Sequence, residues 1–187
     1  MDSTLSAVLR AAAQADRLSK PSPLEEEVVD LFDQFRDRLL RYALSFGLSI
    51  EDGEEIVQEV FMALFQHLQR GKPRQNLSGW VFRVTHNLAL KQREQSRRNP
   101  HIAMGPCEAN LPVDPAPGPE DQLASSEREE RLQKALRALP EQGQRCLYLR
   151  AEGLRYREIA EALGMSLGSV SMSLARSLAR LGRADLR

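Results

Sequence analysis

The sequence predicts an all-α protein: two small helical domains joined by a Pro-rich flexible linker, the C-terminal one containing a helix-turn-helix. Three observations lead there. Large apolar residues recur at steps of three and four along several long stretches, the signature of amphipathic helices. No stretch alternates apolar and polar residues with the period of two that a half-buried strand requires. Six of the ten prolines fall within residues 99–119, where no helical period survives.

Residues 1–23 are Ala-rich and end in Lys20-Pro21-Ser22-Pro23, which reads as a weak helix or a mobile N-terminal tail. Over residues 24–46, Val28, Phe32, Phe35, Leu39, Tyr42 and Phe46 lie at helical spacing and form one apolar stripe, which Gly47 ends. A second helix is expected over about residues 51–69, with Val57, Phe61, Leu64 and Leu68 inward. Gly71-Lys72-Pro73 breaks that pattern. A third begins near Asn76 or Ser78 and runs to about Arg98, with Leu77, Val81, Val84 and Leu88 toward the core. Together these make a three-helix bundle over residues 24–99. Residues 100–119 form the linker. Helices resume after Glu120 and fill residues 120–187. Leu132, Leu136 and Leu139 form a stripe that stops at Pro140, which suits the first turn of a helix holding Cys146, Leu147 and Leu149. Gly153 closes that helix.

The most informative stretch follows. Ile159, Ala160 and Leu163 face inward on a short helix, and Gly164 is suited to the positive φ that ends it. Ser166 is placed to cap a second helix, lined by Val170, Leu174, Leu178 and Leu181. Two short helices across such a turn form the unit that lays its second helix in the DNA major groove. An ordinary helical hairpin is the plainer alternative. Helix-turn-helix logic puts Ser169, Ser171, Ser173 and Arg176 near base edges, and makes Arg176 and Arg180 candidates for bases or phosphates. Arg155 and Arg157 stand at the start of the first helix, where backbone N–H groups also favour phosphate.

Lys+Arg equals Asp+Glu over the 187 residues, so only the distribution of charge is informative. Residues 50–69 carry net −5, residues 72–98 net +6, residues 106–130 net −6 and residues 145–187 net +4. Two basic blocks separated by acidic ones point to two separate polyanion contacts. Cys107 and Cys146 are isolated, and neither they nor the three histidines have metal-ligand spacing. No run reaches the roughly 18 apolar residues of a membrane span and no signal peptide stands out, so a cytoplasmic protein is expected.

Both halves resemble one family in the same order. Asp52-Gly53-Glu54-Glu55-Ile56-Val57-Gln58-Glu59-Val60-Phe61 and Gly79-Trp80-Val81-Phe82-Arg83-Val84-Thr85-His86-Asn87 are similar to region 2 of small bacterial sigma factors of the extracytoplasmic-function group. Ala135-Leu136-Arg137-Ala138-Leu139-Pro140-Glu141, followed by Tyr156-Arg157-Glu158-Ile159-Ala160, is similar to their region 4. The resemblance implies a dissociable subunit of bacterial RNA polymerase that reads and melts the minus-ten promoter element through region 2 and reads the minus-thirty-five element through region 4. Its implied partners are core polymerase, promoter DNA and, as in many members, an anti-sigma factor. It implies that Asp52, Glu55, Gln58 and Glu59 dock on a basic coiled coil of the polymerase, although a dipole-matched helix start explains the same acids. It implies minus-ten contacts from Lys72, Arg74, Trp80, Arg83, His86, Asn87, Lys91, Arg93 and Arg97, with a flipped base held by the loop Arg70–Leu77.

The physics of that block agrees with single-stranded DNA, whose phosphates need neutralising and whose exposed bases seek a π-face. Trp80 suits core packing better than a stacking platform, and His86 reads as a polar-face residue. The chain departs from the family in three places: no aromatic residue stands between Phe65 and Trp80, Lys91 replaces a common Asp, and Ser169-Val170-Ser171-Met172-Ser173 replaces a more basic run. A stand-alone helix-turn-helix regulator with an N-terminal sensing or dimerisation domain is the competing reading; it leaves the acidic second helix and basic third helix unexplained. No paired carboxylates in an apolar pocket, nucleophile–base constellation or phosphate loop suggests an enzyme, and no cofactor or metal is expected.

Overall fold

The computed structural model describes residues 22–98 and 130–185. The expected linker (100–119), all but the end of the expected tail (1–23) and the first residues after Glu120 lie outside the described residues. The described part is all-helical: α1 (Pro23–Leu44), α2 (Ile50–Gln69), α3 (Leu77–Arg98), α4 (residues 130–137), α5 (Glu141–Ala151), α6 (Tyr156–Leu163) and α7 (Leu167–Asp185).

Local chemistry sets the helix starts. The Ser22 hydroxyl accepts from the Glu25 N–H while the Glu25 carboxylate accepts from the Ser22 N–H, and Pro23 occupies the first turn. Ser49 and Asp52 form the same reciprocal box at the head of α2. Asn76 caps α3, its Oδ1 accepting the Gly79 N–H at 3.1 Å. The α1 and α2 stripes close on one another as spaced: Phe35, Leu39, Tyr42, Phe46, Val57, Phe61, Leu64 and Leu68 are all buried. Burial of each such side chain contributes about 1.5–3 kcal/mol. Val81 completes this core, with Leu77, Val84 and Leu88 packed at its edge.

The C-terminal half is built around Leu149, Leu154, Ile159, Val170 and Leu174. Gly164 ends α6 at φ 64°, a left-handed conformation that glycine adopts without the strain a Cβ brings. The Ser166 hydroxyl then accepts the Ser169 N–H at 3.1 Å and caps α7. One expectation fails here. Leu178 is 57% exposed, and Ser177 is buried in its place. Strict steps of four drift off a face that repeats every 3.6 residues. Gly143 on α5 also leaves a slot that Ser177 fills: a Cβ on Gly143 would lie 2.6 Å from the Ser177 Oγ.

The two halves pack on each other, and their buried residues form one contiguous cluster. α3 lies against α6. α1 and α3 meet α5 through Arg38–Glu152, Arg93–Glu141 and Tyr42–Tyr148. Consequently α3 buries a second face, through Phe82, His86 and Ala89, which the pattern of the helix alone does not announce.

Candidate nucleic-acid and polymerase interfaces

The acidic face of α2 is partly as expected. Glu55, Gln58 and Glu59 are exposed, with Met62 one turn further on and 62% exposed. An exposed large apolar residue beside acidic ones is a signal the sequence contained and the charge pattern concealed. Beside them, Phe32, Arg36, Leu40, Glu54, Val57 and Gln58 line a shallow cavity of about 280 Å³ between α1 and α2. Asp52 behaves differently. Its carboxylate is held by Ser49 and accepts from the Gln92 side chain at 2.6 Å, so it secures the start of α2 and ties α2 to α3.

The basic block divides into three groups. Arg83, Asn87, Lys91 and Arg97 are exposed on α3. Lys72 and Arg74 are exposed in the preceding loop, where Arg74 makes a two-point contact with Glu27 on α1, Nε–Oε1 3.1 Å and Nη2–Oε2 3.0 Å. The same loop is pinned by the His67 ring, whose Nε2 is 3.1 Å from the Pro73 carbonyl oxygen. That ring stacks at a tilt on half-buried Trp80, centroids 4.9 Å apart, so Trp80 is shared between the core edge and the loop.

The third group, His86 and Arg93, turns away from solvent. His86 is 5% exposed, correcting its assignment to the polar face. Its Nδ1 lies 3.0 Å from the Tyr42 hydroxyl, and its ring abuts Phe46 at 5.5 Å. Burial pushes its pKa down to about 4, and the cationic Arg145 and Arg93 act in the same direction. Arg93 is paired with Glu141, and it shares that carboxylate with Arg145, whose guanidinium lies 4.3 Å over the Phe46 ring. The Arg93 hydrogen bond holds the Glu141 carboxyl below its usual range.

On the helix-turn-helix, Arg155, Arg157, Ser171, Arg176 and Arg180 are exposed. Arg176, Arg180 and Met172 border an open groove of about 920 Å³ between the start of α5 and α7. Three candidates are less free than expected. Ser169 lies 2.8 Å from the Ser166 hydroxyl within the cap. Ser173 is half-buried on the α5 side, its Oγ 3.8 Å from where a Cβ on Gly143 would lie. The N-cap Arg155 already has its backbone N–H engaged, because the Glu158 carboxylate accepts it at 2.6 Å.

An acidic, apolar-edged face on one side, a basic helix with a structured loop on another and a helix-turn-helix beyond fit the matches to known proteins. Residues 31–99 match the family Sigma-70 region 2, and residues 129–181 match Sigma-70, region 4. Over 149 residues the chain is 33% identical to the ECF RNA polymerase sigma factor ShbA of Streptomyces griseus, covering 78% of this chain and 76% of that protein. It is 34% identical over 161 residues to the ECF RNA polymerase sigma factor SigE of Mycolicibacterium smegmatis, covering 84% of this chain and 59% of that protein. Among solved structures, CnrH in complex with the cytosolic domain of CnrY aligns at TM-score 0.55 and 22% identity over 92% of each chain. The sigma factor RpoE in complex with the anti-sigma factor NepR, from Bartonella quintana, aligns at 0.56 and 21% over 83% of this chain and 96% of that one. These two share the fold. The chain belongs to the extracytoplasmic-function group of bacterial RNA polymerase sigma factors, the proteins that direct promoter-specific transcription initiation. Among the described residues no helix is long and apolar enough to cross a membrane.

Proposed function

We propose that residues 24–99 and 120–187 work as separate modules on polymerase and promoter, and that the exposed faces described above carry the contacts. The single observation behind this is segregation. One bundle presents Glu55, Gln58, Glu59 and Met62 on α2, and Lys72, Arg83, Asn87, Lys91 and Arg97 on and before α3. A mixed solvated surface does not sort its signs in this way. The acidic face docks on a basic surface of core polymerase, where complementary charge governs register and association rate. The basic face follows a single strand of the opened minus-ten element. Phosphates are neutralised along α3, and the flipped base meets the Arg70–Leu77 loop, beside which Trp80 and His67 supply stacked rings. The α7 face with Ser171, Arg176 and Arg180 reads the duplex upstream.

The chain supplies recognition, and the polymerase supplies the chemistry, in the cytoplasm. An anti-sigma partner, of the kind NepR is to RpoE, completes the proposal.

Charge reversal tests the polymerase face. Glu55→Lys with Glu59→Lys should weaken binding to core polymerase by about tenfold or more while leaving helicity unchanged, since both side chains are exposed. Wild-type affinity in this variant contradicts the docking assignment.

A further inference from the structure

We propose that His67 is a positioning residue for the flipped minus-ten base: it sets the shape of the Arg70–Leu77 loop and the pose of Trp80 before DNA arrives. This rests on the assignment of that loop to the flipped base. His67 lies in the last turn of α2, outside the loop and outside the basic block. It nevertheless grips the loop twice. Its backbone carbonyl accepts the Lys72 N–H at 3.3 Å, and its ring Nε2 lies 3.1 Å from the Pro73 carbonyl oxygen. A carbonyl only accepts, so Nε2 carries the hydrogen of this bond. The same ring stacks on Trp80 at a tilt of 42°. One imidazole therefore joins α2, the loop and the first turn of α3. A histidine near a helix C-terminus also suits the dipole, but that role needs no contact with Pro73 or Trp80.

The loop has further anchors. Glu27 of α1 holds Arg74, and Asn76, at φ 58°, caps α3 through the Gly79 N–H. A loop tied at Pro73, Arg74 and Asn76 has little freedom left to lose when it closes on a ligand. That matters for a single base, because the gain from one stacked ring is comparable to the cost of ordering one or two residues.

The sequence supplies an independent argument. Residues 70–77 hold no Phe, Tyr or Trp, so the loop brings no aromatic face of its own. An unstacked base gains most against a ring. Trp80 is the chain's one tryptophan, and both it and His67 are half-buried, so each keeps accessible surface beside the loop. The ring that the loop lacks is supplied from α3 and steadied from α2.

Binding of holoenzyme to the non-template strand of a promoter mapped by run-off transcription tests this. Strands are compared intact and with one base at a time removed to leave an abasic site. The wild type should bind about tenfold more weakly when the flipped base is missing, a loss within the range of one stacked base. His67→Ala should bind the intact strand about as weakly as the wild type binds the abasic one, and should lose little more when the base is removed. Both proteins should bind the abasic strand equally, because the phosphate contacts along α3 are untouched. His67→Phe keeps a ring against Trp80 and loses the bond to Pro73, so it should retain an abasic penalty of about threefold. Glu27→Ala, on α1 and away from the binding faces, frees the loop at Arg74 and should also reduce the penalty. An abasic penalty in His67→Ala equal to that of the wild type overturns the proposal. Equal weakening on intact and abasic strands overturns it as well, since that marks a general loosening of the bundle. A wild-type holoenzyme indifferent to base removal at every position overturns instead the assignment of the loop to a flipped base.

Discussion

Acidification should weaken this fold through one imidazole. His86 is buried between Tyr42 and Phe46 and faces Arg93 and Arg145, with the Glu141 carboxylate opposing them. Its pKa in the folded protein is about 4, against an ordinary value of about 6.5 when the chain unfolds. The unfolded state therefore binds the proton first, and stability falls as pH drops from 6.5 toward 4. At pH 5 the two values give a loss of about 2 kcal/mol, a large fraction of the stability of a small domain. Glu141 acts in the same direction at lower pH, because its depressed pKa means that protonation is resisted in the folded state. Tyr42 and Cys146 have raised values and stay neutral throughout this window. Urea denaturation followed by circular dichroism at pH 7.5, 6 and 5 measures the slope. His86→Gln, which keeps a hydrogen-bonding group for Tyr42, should be flatter between pH 7.5 and 5 by about the same 2 kcal/mol. Equal slopes in the two proteins would refute the burial argument, as would an imidazole resonance that titrates near 6.5 in the native state.

Other outcomes follow from particular contacts. In the Arg38→Glu variant the His86 midpoint, read by NMR, should rise toward the ordinary imidazole range, because losing the contacts of Arg38 with Glu152 loosens α5 over the ring and hydrates it. Leu64→Ala, at a fully buried site, should cost about 2–5 kcal/mol and lower the melting temperature without altering binding faces. Ser166→Ala should cost about 1 kcal/mol by uncapping α7, seen as a lower denaturation midpoint. Arg176→Ala should weaken binding to upstream promoter duplex by about tenfold and leave affinity for core polymerase unchanged; equal loss of both would mean misfolding.

The helices were legible because their apolar stripes are long and regular, and the two caps that matter most for the helix-turn-helix, Gly164 and Ser166, are residue types with a strong local preference. The second buried face of α3 was not. A periodicity argument assigns every polar position to solvent, and nothing local to His86 or Arg93 shows that α5 will cover them. Asp52 shows a different limit. The run of acids around Asp52 suggested either a dipole-matched helix start or a partner, and the two explanations differ in where the carboxylate points, which Ser49 and Gln92 decide. Ser173 and Leu178 were misplaced by a small angular drift along α7, which matters because α5 meets that helix closely at Gly143. The candidates Glu55, Glu59, Arg83, Asn87, Lys91, Arg176 and Arg180 are exposed, as their spacing on the outer faces of the helices predicts.

The most direct test of the proposed division of labour is run-off transcription from a genomic DNA library, using bacterial core RNA polymerase and this protein, with RNA start sites mapped. Discrete new starts should appear, each preceded by two spaced elements held in common, and they should disappear when Glu55 and Glu59 are reversed in charge. No new starts from folded protein, with a core enzyme that initiates normally on another sigma factor, would contradict the assignment of these faces to polymerase and promoter.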